Sequence, residues 1–402
     1  MSADHHASAK EHADTVDLFA GPGGLDVAAR WLGLDVYGLE WDSDALCTRA
    51  AAGFNAERHD VRELGPEDFP AATTLTGGPP CQTFTVAGNG AGRRALDTVL
   101  AFIDAMAAGR RVKDELAELD DERTGLVLEP LRWALRAYEL GRPFETIVLE
   151  QVPAVLPVWE EIGRVLRDDL KYHVATGVLH TEMYGVPQTR RRAVLIASRK
   201  GLRKMPRETH RIYRKSGLRP QDDHDLPNWK TMGQALPGRA HHFEVISNYG
   251  TGGDPKLRGR RSSDQPAATV TGKISRNKVV TDGNTDRFAD WEAGRLQSFP
   301  ADYPWSGGAI AQQIGNAVPP IFGLHVLSTA LGCQVTRQQA DEVFALRWAQ
   351  VCGEPADDIS TPPVLAEIRE RLRSAPCGQD LVPSPVEDRV EPVLDFQPAL
   401  FA

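Results

Sequence analysis

The chain has 402 residues, of which 41% are hydrophobic and 25% charged, a composition typical of a globular protein with room for a main domain and a smaller one. The formal net charge of -9 gives no general attraction for nucleic acid, although a local cluster of cations can outweigh such an average. We find no apolar run that could span a bilayer and no secretion signal, and the five cysteines lack the paired spacing of zinc sites. The sequence therefore predicts a cytoplasmic protein without a membrane segment or a metal.

The first half of the chain alternates between strand and helix patterns. Residues 1–13 are polar and rich in His and Ala, so we expect a disordered tail there. The alternation that follows is typical of an α/β fold built on a parallel sheet. A longer stretch at 93–120 has helical spacing and charges of both signs, and it predicts one or two inserted helices. The predicted strands are residues 16–21, 34–41, 56–61, 71–76, 144–152, 172–181 and 193–198.

The composition changes in the second half of the chain. Twelve Lys or Arg and one acidic residue lie between Arg190 and Arg219, and residues 200–285 are rich in Gly, Pro, Asn and Asp. We therefore predict a small, loop-rich domain at 200–285, inserted into a larger α/β domain. The larger domain comprises residues 14–199 and 286–335, and a C-terminal helix and Pro-rich tail occupy residues 336–402.

Glycines stand at the first predicted strand-to-helix turn, in the run DLFAGPGGL. Gly21, Gly23 and Gly24 would let a ligand approach the backbone at a helix N-terminus, where the helix dipole favours anionic groups. A Gly-rich turn by itself is as often only a turn. Glu40 ends the next predicted strand, at the distance along the chain expected of a carboxylate that binds ribose hydroxyls.

Trp41 and Asp60 add to this pattern. Trp41 could stack on a purine, although a tryptophan here equally suits the boundary of a core. Asp60 could accept a hydrogen bond from an adenine amino group, although an aspartate here also suits a turn or a helix cap. Such features at successive strand ends predict a site for an adenosine-containing cofactor. They do not distinguish a dinucleotide from S-adenosylmethionine.

A stiff loop carries Cys81. The run GGPPCQTF follows an apolar strand, and Pro79 and Pro80 restrict the backbone just before the cysteine. Ligand chemistry in open α/β sheets takes place at the carboxyl ends of strands. The position therefore suits a nucleophilic thiolate, and it also suits a free cysteine in a tight turn.

Taken in order, these motifs resemble those of the C5-cytosine-specific DNA methyltransferases. The resembling runs are DLFAGPGG (17–24), GLEWD (38–42), HDV (59–61), GGPPCQTF (77–84), DERTGLVLE (121–129), VLEQV (148–152), QTRRR (188–192), EAGRLQSFP (292–300) and QQIGNAVPP (312–320). The resemblance implies an α/β fold with a Rossmann-like methyltransferase sheet and S-adenosylmethionine as the cofactor. It implies that the loop-rich segment recognises the target, and that GNAVPP returns to the first Gly-rich turn.

The resemblance also implies a covalent mechanism at cytosine. The thiolate of Cys81 would attack C6 of a base flipped out of the duplex, which makes C5 nucleophilic. Glu150 would bind N3 and the exocyclic amine, Arg192 would contact the base carbonyl, and Arg190 would support the same site. Gln82, the next residue after Cys81, is assigned to the same catalytic loop.

Simpler interpretations of these residues stay open from the sequence alone. Glu150 is as readily a salt-bridged carboxylate at a strand end, and the run of three arginines is as readily a solvated basic turn. One residue also departs from the family pattern. The family usually has Asn after the catalytic glutamate, whereas Gln151 keeps the amide but is longer by one methylene.

Binding residues follow from the same resemblance. Phe19 would pack against the adenine, and Asn316 would lie near the methionine end of the cofactor. The positions assigned to the cofactor are Phe19, Gly21, Gly23, Gly24, Leu25, Glu40, Trp41, Asp60, Pro79, Leu126, Asn316 and Val318. The positions assigned to DNA are Gln188, Arg199, Lys200, Arg203, Lys204 and Arg207.

Double-stranded DNA is the expected partner, bound by a monomer in the cleft between the two domains, and a cognate restriction endonuclease is a candidate companion. One alternative is the same chemistry on tRNA, which one branch of the family performs. Another is a non-catalytic DNA-binding protein on a methyltransferase scaffold. The long basic segment favours duplex DNA, and the presence of Cys81, Glu150 and Arg192 favours an active enzyme.

Overall fold

The computed structural model describes residues 9–80, 91–110, 112, 115–116, 122–201, 204–215, 225–239, 242–247, 259–352 and 361–374. Strands and helices alternate through the first half, because buried apolar runs are separated by turns rich in Gly, Pro and Asp. The elements are β1 (Thr15–Leu18), α1 (Gly24–Leu32), β2 (Val36–Leu39), α2 (Ser43–Ala51), β3 (Thr74–Gly77), α3 (Ala91–Ala107), α4 (Glu129–Glu139), β4 (Thr146–Gln151), α5 (Leu156–Asp168), β5 (His173–His180) and β6 (Arg191–Ser198). Short 3-10 helices lie at Pro66–Asp68, Glu122–Leu128, Pro153–Val155 and Thr181–Tyr184.

Within the described residues, the main sheet has six strands in the order β2–β1–β3–β4–β6–β5. The first four are parallel to one another, whereas β6 runs antiparallel to both β4 and β5. The predicted parallel sheet is therefore correct for these four strands and wrong for β6. Since the carboxyl ends of β1, β3 and β4 share one edge with the start of β6, that edge gathers the residues that end these elements.

Apolar clusters cover both faces of this sheet. Successive residues of β4 point to opposite faces, so that Ile147 and Leu149 belong to one cluster and Val148 to the other. Helices α4 and α5 contribute Trp133 and Trp159 to the first cluster. Burial on both faces explains why β4 is a continuous apolar run, as in other central strands.

The second half of the chain begins with short strands and ends in helices. Its elements are α6 (Met232–Ala235), β7 (Glu244–Ile246), β8 (Arg260–Ser262), β9 (Lys278–Thr281), β10 (Asn284–Asp286), α7 (Asp290–Leu296), α8 (Ile310–Asn316), α9 (Pro320–Ala330), α10 (Arg337–Ala345), α11 (Trp348–Cys352) and α12 (Pro363–Ser374). Strands β7 to β10 form a second, antiparallel sheet in the order β10–β9–β7–β8. This sheet lies in the segment where a small domain is predicted, and its last strand ends one residue beyond.

Helix α9, in the second half of the chain, lies against an element near the beginning of the chain. It packs on α1, and a Cβ added at Gly323 would lie only 3.1 Å from the Cβ of Ala28 and 3.2 Å from a methyl carbon of Leu25. The close approach of the two helices therefore depends on the missing side chain. This packing delivers the segment just before α9 to the first Gly-rich turn.

The N-terminal residues are more ordered than predicted. Residues 9–12 are helical, Ala13 is buried, and Lys10 lies 3.6 Å from Glu57. The predicted disordered tail is therefore wrong for residues 9–13, because the small apolar side chains of this segment pack against the sheet cluster. Residues 1–8 lie outside the described residues.

Two local expectations are also corrected. The strand predicted at 56–61 is reduced to one parallel bridge between Glu40 and Arg58. The described part of residues 336–402 contains the three helices α10, α11 and α12 instead of one, and residues 353–360 and 375–402 lie outside the described residues. Helix α2 begins after Asp42, whose carboxylate accepts the backbone N–H groups of Asp44 and Ala45 and so caps the helix. In the part of the chain that the structure describes, no helix is both long and apolar enough to cross a membrane.

Candidate functional site

The first Gly-rich turn is covered by the segment that precedes α9. Gly21 and Gly23 have φ of +55° and +102°, a region that residues with a Cβ rarely adopt. At Gly24 the reason for glycine is contact, because an added Cβ would collide with the carbonyl oxygen of Val318. Tyr303 also reaches the turn and donates its hydroxyl to a proline carbonyl 2.5 Å away. The predicted return of GNAVPP to this turn is confirmed by the contact of Gly24 with Val318.

Glu40 fixes this turn from the neighbouring strand. Its carboxylate accepts the backbone N–H of Gly21 at 2.6 Å and those of Trp41 and Asp42 at 2.7 Å. A carboxylate offers about four acceptor positions, so about one remains for a ligand hydroxyl. Glu40 therefore has both the place and the spare capacity that a ribose contact requires.

A buried polar cluster supports the turn from behind. Arg49 makes two hydrogen bonds to the carboxylate of Asp26, at 2.8 and 3.1 Å, and both side chains are fully buried. Asp17 accepts a hydrogen bond from Thr76 at 2.6 Å, and burial, with Asp26 nearby, raises its pKa well above the usual value. The sequence did not point to this cluster, since an arginine inside a helix is usually solvated.

Trp41 and Asp60 flank the turn but already have protein partners. More than half of the Trp41 side chain is exposed, and the Arg58 guanidinium lies 3.7 Å from its ring centre. Asp60 pairs with Arg62 at 2.7 Å, and these hydrogen bonds lower its pKa. An adenine amino group would therefore share the Asp60 carboxylate with Arg62.

The other positions assigned to the cofactor lie in several environments. Phe19 is half-buried directly after β1 and has a positive φ of 62°, and Pro79 is buried two residues after β3. Because Leu18 pairs with Gly77, these two residues leave the sheet side by side. Leu25 is buried in α1, Leu126 is half-buried, and exposed Asn316 accepts a hydrogen bond from Gln312 at 3.0 Å.

Glu150 and Arg192 meet at the carboxyl edge of the sheet. They project from β4 and β6, and Arg192 Nε lies 2.6 Å from Glu150 Oε1, with both side chains largely buried. The direction of that contact is nevertheless poor for a hydrogen bond, and Glu150 Oε1 accepts none from the described residues. A buried carboxylate oxygen with unused acceptor capacity marks a place where a ligand donor would be stabilised.

Gln151 ties this carboxylate to the loop that leads to the cysteine. Its Nε2 donates to the carbonyl oxygen of Pro79 at 2.5 Å, while its Oε1 accepts the backbone N–H of Val152 at 2.6 Å. A Cβ added at Gly78 would lie 3.8 Å from a carboxylate oxygen of Glu150, so the loop passes close beside that group. Cys81 and Gln82 themselves lie outside the described residues.

Gln188 is buried and does not face a DNA cleft. Its side-chain amide donates to the carbonyl of Leu296 at 3.0 Å and to the side chain of Gln297, and its oxygen accepts the N–H of Val270 at 2.9 Å. Its relative exposure is 0%. The assignment of Gln188 to DNA is therefore corrected, because all its polar atoms are used to join three chain segments.

Arg190 plays a similar structural part. Its guanidinium is buried and donates to the carbonyls of Val270 at 2.8 Å and Gly315 at 2.9 Å. Burial lowers its pKa well below the usual value, and its Nε has no partner in the described residues. The expected support for the site is consistent with this geometry, whereas a direct contact between Arg190 and the base is not.

Two further basic residues assigned to DNA lie at the edge of the sheet opposite Glu150 and Arg192. Arg199 and Lys200 follow β6 at its far end, eight residues beyond the start of the strand that carries Arg192. Arg199 donates to the carbonyl of Leu170 at 2.7 Å, and Lys200 pairs with Glu145 at 2.5 Å. The expectation for these two residues is corrected. Lys204 and Arg207 are exposed, and Arg203 lies outside the described residues.

Among the described residues, no group of three or more His, Cys, Asp or Glu could hold a metal ion. The polar groups of the site surround two separate places instead. One lies at the Gly-rich turn, with Glu40 and Trp41, and the other lies at Glu150 and Arg192. The loop from β3, held by Gln151, runs between them.

The family described as C-5 cytosine-specific DNA methylase matches residues 13–103 and 157–329 of the chain. The unmatched residues 104–156 include Glu150 and Gln151. Type II methyltransferase M.AplI of Arthrospira platensis is 29% identical over 345 residues, which cover 79% of this chain and 87% of the relative. Type II methyltransferase M.HpaII of Haemophilus parainfluenzae is 26% identical over 345 residues, which cover 77% and 86%.

Solved structures show the same fold. The S. pombe Dnmt2 methyltransferase superposes with a TM-score of 0.52 and 16% identity, covering 80% of this chain and 98% of that one. The Entamoeba histolytica methyltransferase EhMeth superposes with a TM-score of 0.50 and 13% identity, covering 80% and 98%. The predicted Rossmann-like methyltransferase fold is therefore confirmed.

Proposed function

Because the chain belongs to the C-5 cytosine-specific DNA methylase family and is a DNA cytosine-5-methyltransferase, we propose that it methylates C5 of cytosine within one specific sequence of duplex DNA, with S-adenosylmethionine as the methyl donor. The observation that carries this proposal is the buried pair of Glu150 and Arg192 beside the loop to Cys81. We propose that one face of the loop serves the cofactor and the other the base.

Glu150 and Arg192 would hold the cytosine ring. The free acceptor position of Glu150 Oε1 suits the exocyclic amine or a protonated N3, and protonation at N3 favours attack at C6. Arg192 would donate to the base carbonyl and stabilise the charge that develops there. Both groups are already fixed by the sheet, so little reorganisation accompanies the reaction.

Cys81 would carry the covalent step. Its thiolate would form a bond to C6 while the electron pair of the C5–C6 double bond shifts to C5. C5 would then take the methyl group as the methyl–sulfur bond of the donor breaks and leaves its electron pair on sulfur. A base then removes the C5 proton, and expulsion of the thiolate restores the double bond. Gln151 would place this loop through its hydrogen bond to Pro79.

The Gly-rich turn fits an adenosine-containing cofactor. The nucleoside would lie against the bare backbone at Gly21 and Gly23. It would also contact the spare acceptor position of Glu40 and the exposed ring of Trp41. When bound, S-adenosylmethionine would supply the electrophilic methyl group. We propose that the cofactor is also contacted by Phe19, Leu25, Asp60, Pro79, Leu126, Asn316 and Val318.

Duplex DNA would bind as its target base flips into this site. The second sheet would read the sequence, and Lys204 and Arg207 would contact phosphates. We further propose a cytoplasmic monomer. A restriction endonuclease of the same specificity would accompany it, because the relatives M.AplI and M.HpaII are named Type II methyltransferases.

A transfer assay tests the substrate. The full chain is incubated with methyl-labelled S-adenosylmethionine and either bacterial genomic DNA or tRNA, and we expect label in DNA. Label found in tRNA alone would overturn the proposal. A duplex containing 5-fluorocytosine should form a covalent complex, and its absence despite bound DNA would indicate a non-catalytic protein.

The nucleophile is tested by Cys81→Ala. This variant should lose methyl transfer and covalent trapping while it binds the cofactor almost as well as wild type. Cys47→Ala is the matched control, because Cys47 is a free, exposed cysteine outside the site. Residual transfer by Cys81→Ala would mean that another group attacks the base.

A further inference from the structure

A broad groove of about 800 Å³ lies between part of the predicted small domain and helix α10. Its walls come from residues 227–238, from Arg295 in α7, and from Arg337, Asp341 and Phe344 in α10. None of the residues assigned to the cofactor or the cytosine lines it. We call it the α10 groove.

The α10 groove contains a cation without a carboxylate partner. The Arg295 guanidinium lies 3.5 Å from the ring centre of Phe344, and one of its N–H groups donates to the carbonyl of Phe299. Lys230 lies over the same ring and pairs with Asp341 at 2.8 Å. Arg337 lies 3.7 Å from the same carboxylate, so two cations share one anion there. Among the described residues, no carboxylate lies within 4 Å of Arg295, and Asp302 acts on it only from a longer distance. A half-buried guanidinium with no carboxylate in contact favours an anionic ligand.

The groove is also lined by aromatic side chains. Trp229 and Trp291 face it together with Phe344, and Trp291 is 43% exposed. Exposed rings with a polar edge are typical of surfaces that bind extended, proline-rich segments. The lining carries three cations, Lys230, Arg295 and Arg337, and two carboxylates, Asp264 and Asp341, so the groove combines a net positive charge with aromatic rings.

The described part of the chain ends against α10, the helix that forms one wall of this groove. In the last turn of α12, Arg371 donates to the carbonyl of Gln334 and to the side chain of Gln339, both at 3.0 Å. Gln334 is three residues before Arg337, which lines the groove. The 28 residues that follow Ser374 could extend over about 90 Å, so the groove is well within their reach.

The sequence after Ser374 is complementary to the groove. Residues 375–402 include five acidic residues and one basic residue, five prolines, and the aromatic residues Phe396 and Phe401. We propose that residues 375–402 dock within the same molecule into the α10 groove, with carboxylates at Arg295 and Arg337 and with prolines or rings against Trp291. Proline-rich chain loses little conformational entropy when it binds in this way.

Photo-crosslinking of the full chain tests this docking. The photoreactive amino acid p-benzoylphenylalanine replaces Phe396, and mass spectrometry locates the crosslinks. We expect them on peptides that contain residues 227–238, 291–295 or 337–345, with a yield independent of protein concentration. Arg337→Glu or Trp291→Ala should lower the yield to about half or less, as loss of one charge or ring contact predicts.

Arg136→Glu is the matched control, because Arg136 is similarly exposed but lies on α4, outside the groove. It should leave the crosslinks unchanged, and circular dichroism should show that every variant is folded. Crosslinks that avoid the groove peptides would overturn the proposal. Crosslinks that join two copies, or that persist undiminished in both groove variants, would overturn it equally.

Discussion

Gln151 joins two parts of the site that lie 72 residues apart along the chain. One end of its amide binds the Pro79 carbonyl, and the other end binds the backbone directly after β4. The extra methylene relative to asparagine therefore does not prevent contact with the loop. Gln151 fixes the approach to Cys81 relative to Glu150, and we expect it to act as a positioning residue.

Gln151→Glu should slow methyl transfer without weakening cofactor binding. The variant keeps the shape of the side chain, but it loses the N–H donor and places an anion against the Pro79 carbonyl. A loss of about 2 kcal/mol would slow single-turnover transfer about 30-fold. Gln151→Asn keeps the amide and should transfer methyl groups faster than Gln151→Glu. Gln338→Glu, on the exposed surface of α10, should transfer them at the wild-type rate. A wild-type rate for Gln151→Glu would remove the positioning role.

Substitution of Arg190 should mainly affect stability, whereas substitution of Arg192 should mainly affect catalysis. Arg190→Lys loses buried hydrogen bonds to Val270 and Gly315, and we expect it to lower the free energy of unfolding by about 2–4 kcal/mol. Arg192→Lys loses the planar guanidinium beside Glu150 and should mainly lower kcat. Urea unfolding and steady-state kinetics check both. Equal stability losses in the two variants would contradict this division.

At the scale of elements, the junction of α1 with the segment before α9 depends on a missing Cβ. Gly24→Ala would force its methyl group against the Val318 carbonyl, where the backbone cannot easily move. We expect a loss of at least about 2 kcal/mol in unfolding free energy, together with weaker binding of S-adenosylmethionine. Calorimetry measures both quantities. Gly238→Ala, where the added Cβ has no neighbour within 4 Å, should change neither.

Helix α9 should also make the fold sensitive to acid. Burial lowers the pKa of His325 to about 4, as it does that of His210, while Asp341 nearby opposes the shift. Because the unfolded imidazole titrates near 6.5, the unfolded state takes up protons first as the pH falls. Stability should therefore be full above about pH 6.5 and decline towards pH 4, by up to about 3 kcal/mol for each group.

His325→Gln tests this interpretation of the acid sensitivity. Glutamine does not titrate in this range, so the urea midpoint of the variant should fall less steeply between pH 6.5 and 4 than that of wild type. His173→Gln is the control, because His173 is exposed on β5. A wild-type slope in His325→Gln would show that other groups cause the loss.

The elements were largely predictable because their signals are local. Apolar runs with glycine and proline at their ends gave β1, β3 and β4, and the motif order gave the family. The missed features depend on contacts between distant segments. Residues 9–13 were predicted to be a disordered polar tail, yet they pack on the sheet. Gln188 was predicted to lie on the DNA-binding surface, yet it is fully buried between segments far apart in sequence.

For the whole molecule, the far edge of the main sheet should not contribute to DNA affinity. Lys200→Gln should leave binding unchanged, because Lys200 already pairs with Glu145 away from the site. Arg276 is exposed in the 3-10 helix Ile274–Arg276, just after the segment that contacts Arg190. Arg276→Gln should weaken binding and reduce the slope of log affinity against log salt by about 1. The reverse result would place DNA at the other edge.

The location of basic residues shows why sequence alone misplaced part of the DNA surface. A run of cations predicts positive charge, but strand direction decides which edge receives it. Because β6 is antiparallel to β4, Arg192 lies at the edge that carries Glu150 while Arg199 lies at the opposite one. The antiparallel strand was not visible in the alternating pattern.

The contact between Gly24 and Val318 also affects how the protein is made. About 290 residues separate these positions, and a chain that grows by about 5–20 residues per second needs roughly 15–60 s to pass from one to the other. During that time the turn at Gly24 is complete but its cover is still absent. The nascent chain therefore exposes the apolar face of α1 until α9 has been synthesised, and this interval is when the protein would most depend on a chaperone.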